Sequence, residues 1–161
     1  MFIIKHRRRR EQKTDYRKRL GLVKSGKVRL VIRKSLDNMR IQFVEYTPQG
    51  DVTLVSVLSN QLKKLGWNNS SGNLPASYLT GYLAGKKALQ KKIKEAILDT
   101  GLQTSTKGSR IYAALKGVVD AGVNIPHSKD ILPEEKRIKG SHINDQIVKN
   151  FEDMKRKIEA S

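Results

Sequence analysis

Val28-Arg29-Leu30-Val31-Ile32-Arg33 and Arg40-Ile41-Gln42-Phe43-Val44-Glu45-Tyr46 are the runs that decide how this chain folds. Both are rich in β-branched and aromatic residues, and the second alternates, imperfectly, with a period of two. Asp37-Asn38 between them tolerates the positive φ that a tight hairpin turn requires. Pro48-Gln49-Gly50-Asp51 punctuates the second run, and Asp51 to Leu58, rich in Val, Thr and Leu, reads as a third strand. Connections this short make the three strands antiparallel, because a parallel return needs a crossover of a dozen residues or more.

Working outward, Asn68 to Asn73 is a polar loop, and Pro75 opens a helix that runs to about Ile93, with Leu79, Leu83, Leu89 and Ile93 on its buried face. Ala96-Ile97-Leu98 then reads as a short buried strand ending at Asp99-Thr100-Gly101, so strand, helix and strand form a crossover and the sheet is mixed. Ile111, Ala114, Leu115, Val118 and Val119 share one face of a second helix, which Gly122 stops. The fold class is therefore α/β (α+β): a mixed sheet with elements in the order βββαβα. Pro126 to His142 is polar and irregular. From Asn144 to Glu159, Ile147, Phe151, Met154 and Ile158 form the narrow apolar stripe of a terminal helix that must dock on a neighbour, since isolated helices of that length are marginal. Three regions follow: a basic arm over 1–26, a central mixed α/β domain over 27–128, and a C-terminal extension over 129–161.

Charge is concentrated at one end. The 161 residues hold 33 Lys and Arg against 15 Asp and Glu, a net +18, and residues 1 to 34 alone carry 14 cations against Glu11 and Asp15. Such self-repulsion is relieved by a polyanion that exchanges its counterions for protein cations, and nucleic acid is the first candidate. Most of the arm is expected to be extended, with a turn of helix near Tyr16 and Leu20 to Val23 forming on binding. The absence of cysteine removes disulfides, thiolate zinc sites and thiol nucleophiles, and suits a reducing, cytoplasmic setting. Met1-Phe2-Ile3-Ile4 precedes Lys5 and the arginines, the reverse of a secretory signal, and no apolar run approaches the roughly 20 residues that span a bilayer.

Enzymatic readings find little support. A metal nuclease needs clustered carboxylates; Asp99 is well placed at a strand end, but the first strand has no acid, so Asp99 reads as a turn anchor. His6, His127 and His142 are scattered and lack the spacing of a zinc site. Gly81-Tyr82-Leu83-Ala84-Gly85-Lys86-Lys87 departs from a phosphate loop by one residue and by Lys87 where Ser or Thr should stand; its glycines read as small residues that let the helix approach the sheet. No catalytic residue, metal, cofactor, small-molecule substrate or membrane partner is expected.

Arg7, Arg8, Arg9, Arg10, Lys13, Arg17, Lys18 and Arg19 carry the strongest functional signal, because guanidinium groups fork onto phosphate oxygens. Lys5, Lys24, Lys27, Arg29 and Arg33 extend that surface, and Tyr16 either stacks on a base or packs on the domain. Thr104-Ser105-Thr106-Lys107-Gly108-Ser109-Arg110, just before a helix, reads equally as a phosphate-holding loop or as a helix cap.

Ala96 to Arg110, followed by Ala113-Ala114-Leu115-Lys116-Gly117 and Asn124-Ile125-Pro126-His127-Ser128, closely resembles the archaeal and eukaryotic branch of the large-subunit ribosomal protein eighteen family. Tyr16-Arg17-Lys18-Arg19-Leu20, Arg29 to Ser35 and Arg137-Ile138-Lys139-Gly140-Ser141-His142-Ile143 extend the resemblance over roughly residues 5 to 145. The length looks archaeal, and no family motif is evident after Ile143. The resemblance implies a ribonuclease-H-like, non-catalytic domain that binds 5S rRNA in the central protuberance of the large ribosomal subunit. By the same resemblance, the arm and parts of the domain contact 5S rRNA. Thr104, Ser105, Lys107, Ser109, Arg110 and His127 are the candidate contacts of the domain. The extensions reach 23S rRNA and neighbouring large-subunit ribosomal proteins. The rival reading is a general basic RNA-binding protein or chaperone.

Overall fold

A computed structural model describes residues 4–160; the first three residues of the expected arm and the last of the extension lie outside it. In chain order the elements are α1 (Arg7–Arg10), α2 (Tyr16–Lys24), β1 (Arg29–Lys34), β2 (Met39–Thr47), β3 (Gly50–Leu58), α3 (Gln61–Lys64), α4 (Leu74–Gln90), β4 (Ile97–Asp99), α5 (Arg110–Asp120), a 3-10 turn (Lys129–Ile131), α6 (Glu135–Lys139) and α7 (Asp145–Ala160). The βββαβα order stands, with the single turn α3 added before α4.

Among the described residues the strands form one sheet in the order β3-β2-β1-β4. β1 and β2 pair antiparallel from Arg29↔Val44 to Lys34↔Met39, β2 and β3 antiparallel with a bulge between Phe43 and Val44, and β1 and β4 parallel through Leu30↔Leu98. The two-residue period puts Leu30, Ile32, Ile41, Phe43, Val55 and Val57 on one face, where they are buried beneath α4 and α5. Arg29, Val31, Arg33, Gln42 and Asp99 take the opposite face, which carries no core helix. The β1–β2 turn needs no positive φ, contrary to the reading of Asp37-Asn38: the Ser35 N–H donates to the Asn38 carbonyl at 2.8 Å, and the Ser35 Oγ accepts from the Asn38 N–H at 3.0 Å.

α4 starts where Asn73 Oδ1 accepts the Ala76 N–H at 2.9 Å, and it ends at Gln90, short of the expected Ile93. There the Ile93 N–H reaches the Ala88 carbonyl at 3.0 Å and the Lys92 N–H the Leu89 carbonyl at 2.8 Å, closing the helix with Lys92 at φ 62°. Ile93 is still buried, which is why the apolar period runs past the true end.

The helical glycines serve a different contact from the one expected. Gly81 and Gly117 lie where α4 and α5 touch backbone to backbone: a Cβ at Gly81 would sit 2.0 Å from the Ala114 carbonyl oxygen, and one at Gly117 2.2 Å from that of Tyr78. The close approach is between helices, not between helix and sheet. Gly81→Ala must therefore push two helices apart, and it is expected to cost about 3 kcal/mol, at the upper end for overpacking, in a denaturant titration. Gly21→Ala on α2, where nothing lies within 4 Å, is the control and should stabilise slightly.

The segment after Pro126 is less irregular than expected. It holds the 3-10 turn and α6, which buries Ile138 and ends on Gly140 at φ 80°. α7 lays Ile147, Phe151, Met154 and Ile158 against the body, with the Phe151 ring 5.4 Å from that of Tyr78 and the Tyr82 hydroxyl donating to Glu159 Oε1 at 2.8 Å. The neighbour that covers its apolar stripe is the chain's own α4.

Candidate nucleic-acid interface

The helix expected near Tyr16 and Leu20 to Val23 is present as α2, and the expectation that the rest of the arm is extended is corrected at α1, which is helical. Arginine is a good helix former, and Asp15 supplies the missing start signal, its carboxylate accepting the N–H groups of Arg17 and Lys18 at 3.0 and 3.2 Å. Successive residues of a helix turn by about 100°, so Arg7, Arg8, Arg9 and Arg10 radiate in all directions, and all four are exposed. Glu11 offsets part of their repulsion, 3.8 Å from Arg7 and 3.0 Å from Lys13. A turn that presents cations all round suits a groove walled by phosphates better than a flat surface.

No residue of α1 or α2 is buried. Among the described residues the ion pair that joins the arm to the body is that of the Arg19 guanidinium, 2.8 Å from Asp51 Oδ2, and Leu22 and Val23 of α2 are half-buried. A partly exposed pair of this kind contributes about 0–1 kcal/mol. Tyr16 packs obliquely on His6, with ring centres 5.2 Å apart.

Beneath the arm the open sheet face carries an alternating chain of charges. Asp51 Oδ2 accepts from Arg19 and, at 2.7 Å, from Arg29; Arg29 also reaches Asp99 Oδ2 at 3.1 Å; Asp99 Oδ1 accepts from Arg33 at 2.9 Å and from the Gly101 N–H at 2.9 Å. Burial pushes the Asp51 carboxyl up, but the Arg29 and then the Arg19 guanidinium outweigh it and hold it below the usual carboxylate range. Arg29 is only 3% exposed, and its Nε has no hydrogen-bond partner. A divalent cation at Asp99 would meet two guanidinium groups already in place, and among the described residues no group of three His, Asp or Glu could hold a metal.

A cleft of about 710 Å³ opens between arm and sheet. Arg8, Lys13, Lys18, Arg19 and Arg33 line it above a partly apolar floor of Val31, Val44 and Leu98. Its acids, Asp15, Asp51 and Asp99, are each held by the backbone or guanidinium partners just described, so its unspent charge is positive.

The other expected contacts separate into two groups. Lys5, Arg17, Lys18, Lys24, Thr104, Ser105, Lys107 and His127 are exposed, although Ser105 pairs with the Tyr112 hydroxyl and His127 Nδ1 with the Ile125 carbonyl at 2.6 Å. Arg29, Arg33 and Arg110 have internal partners instead, and Lys27 pairs with Glu95 at 2.7 Å. Arg110 clamps three carbonyls, those of Leu36 at 3.0 Å, Gly72 at 2.7 Å and Ser35 at 3.3 Å, and so joins the β1–β2 turn to the loop before α4. Ser109 stands at the α5 N-cap without capping, its Oγ buried and unpartnered. Sequence reasoning missed the counter-ion roles of Asp51 and Asp99, which no local motif marks because they come from strands paired across the sheet.

Comparison with known proteins supplies the remaining finding. A family model described as ribosomal large subunit proteins 60S L5 and 50S L18 matches residues 1–95 and 90–128. The large ribosomal subunit protein uL18 of Methanococcus maripaludis is 54% identical over 142 residues, covering 88% of this chain and 74% of that protein. Its namesake in Korarchaeum cryptofilum is 54% identical over 140 residues, 87% of this chain and 72% of that protein. In Methanothermobacter thermautotrophicus the figures are 53% over 137 residues, 85% and 71%.

Proposed function

The chain belongs to the family of ribosomal large subunit proteins 60S L5 and 50S L18, structural and non-enzymatic constituents of the cytoplasmic ribosome, and from that premise we propose that it binds 5S rRNA and fastens it to 23S rRNA in the central protuberance. The observation that carries this reading is the cleft, where the exposed arm cations Arg8, Lys13 and Lys18 stand over a sheet face whose acids are internally neutralised. Phosphate contacts from Arg7 to Arg10, Lys13, Arg17 and Lys18 supply affinity without reading sequence. The sheet body and the loop at Thr104, Ser105 and Lys107 supply register, since folded RNA is recognised chiefly by shape and by its sugar and phosphate groups. The natural division of labour is an arm over 1–26, a body over 27–128 and an extension over 129–161 that, through α7, is built onto the body.

The test is equilibrium binding to refolded 5S rRNA and to a scrambled RNA of equal length at matched salt. Preference for 5S rRNA by about tenfold or more, roughly 1.4 kcal/mol, is expected. Equal binding would leave a general basic RNA binder.

A further inference from the structure

We infer that the lysine-rich end of α4, carrying Lys87, Lys91, Lys92 and Lys94, is a second RNA-backbone contact on the helix-bearing side of the sheet, so that one chain holds two RNA segments at once. The inference rests on the RNA-binding reading above. Residues 35–161 carry a net charge of +6, and residues 86–94 alone carry +5, with lysine at 86, 87, 91, 92 and 94 and no acid. Among the described residues none of these five lies within ion-pair distance of a carboxylate, whereas eight ion pairs form elsewhere. Glu95, the adjacent acid, is taken by Lys27 at 2.7 Å. Lys91 spends one donor on the Leu54 carbonyl, while Lys92 and Lys94 are exposed.

The backbone supplies an independent observation. Lys92 occupies the left-handed position that closes the helix, at φ 62°, where glycine is free of the steric cost that a side chain brings. The helix dipole favours lysine in the last turn and accounts for Lys87 and Lys91. It does not account for a lysine at a left-handed position where a side chain is strained, and strained positions of this kind cluster at functional sites. Compact ammonium groups on flexible stems suit point contacts with phosphates, which position a nucleic acid without reading its bases. Lys87 lies on α4, which packs on the buried Leu30 face, and Lys91, Lys92 and Lys94 follow its end, while the arm faces the Arg29 side, so the two can engage different segments.

The experiment saturates the full chain with refolded 5S rRNA and titrates in a short labelled RNA duplex of unrelated sequence. A ternary complex is expected. The Lys87→Gln, Lys91→Gln, Lys92→Gln, Lys94→Gln variant should bind the duplex about tenfold or more weakly while its 5S rRNA affinity stays within about twofold. An unchanged duplex affinity overturns the inference, and so does an equal loss toward 5S rRNA, which would make these lysines part of the first interface. Stronger capture of poly-glutamate than of the duplex overturns it in favour of an acidic protein partner. Lys92→Gly separates function from folding: the melting temperature should rise by about 1–3 °C while duplex capture falls by about two- to threefold. Capture unaffected by that change contradicts a role for the strained lysine. A chain that does not bind 5S rRNA overturns the functional reading instead, and the lysine surface is then judged by duplex binding in a background with the arm cations changed to glutamine.

Discussion

Asp99→Ala is expected to destabilise the fold by about 3 kcal/mol, because it leaves the Arg29 charge buried with one partner in place of two. Arg29 is 3% exposed and Asp99 7%, at the floor of the cleft, so water replaces the lost carboxylate only in part. The substitution also removes the acceptor of the Gly101 N–H and the Oδ1 partner of Arg33 Nη2 at 2.9 Å, leaving Arg33 only its Nη1 bonds to backbone carbonyls, that of residue 99 among them at 2.6 Å. What is costly is breaking the pair: exchanging a whole buried ion pair for apolar groups is often neutral. In thermal unfolding the loss corresponds to a fall of about 6–12 °C. Asp99→Asn keeps an acceptor for Gly101 and should recover part of that fall. A nearly unchanged melting temperature would show that Arg29 draws its stability from elsewhere.

The arm should behave in the opposite way, with a large effect on binding and almost none on stability. Changing Arg7, Arg8, Arg9, Arg10, Lys13, Arg17 and Lys18 to glutamine touches no buried residue and leaves Arg19 on Asp51. If about four of the seven cations sit on phosphates, counterion release at about 0.15 M salt is worth about 10³-fold in affinity. The variant should therefore bind 5S rRNA about a thousandfold more weakly, with a shallower dependence of log affinity on log salt and an unchanged melting temperature. A slope equal to that of the unmodified chain would remove the arm from the interface.

Local patterns carried much of this structure. The period-two runs around Leu30, Ile41 and Phe43 and the helical face of Ile111, Leu115 and Val118 are written in contiguous sequence, and so is the arm's charge. What was illegible depends on partners distant in the chain. Arg29 looks like one more cation of the arm until β4 pairs parallel to β1 and brings Asp99 beside it, seventy positions away. Gly81 looks like an accommodation to the sheet until α5 lays Ala114 against it. Arg110 follows a hydroxyl-rich loop and invites a phosphate reading, yet three carbonyls from two other loops occupy its guanidinium. The arm's second helix is legible in part, as the turn around Tyr16 and Leu20 to Val23, and its start is marked by Asp15, which stands before a run of good helix formers and caps them as well as carrying a charge.

If the body reads the fold of the RNA and the arm supplies charge, the two contributions separate in one measurement: the ratio of affinities for refolded 5S rRNA and its scrambled counterpart in the chain with the seven arm cations changed to glutamine. The expected result is that both affinities fall together and the preference for 5S rRNA persists. A preference that vanishes with the arm's charges would contradict the assignment of register to the body.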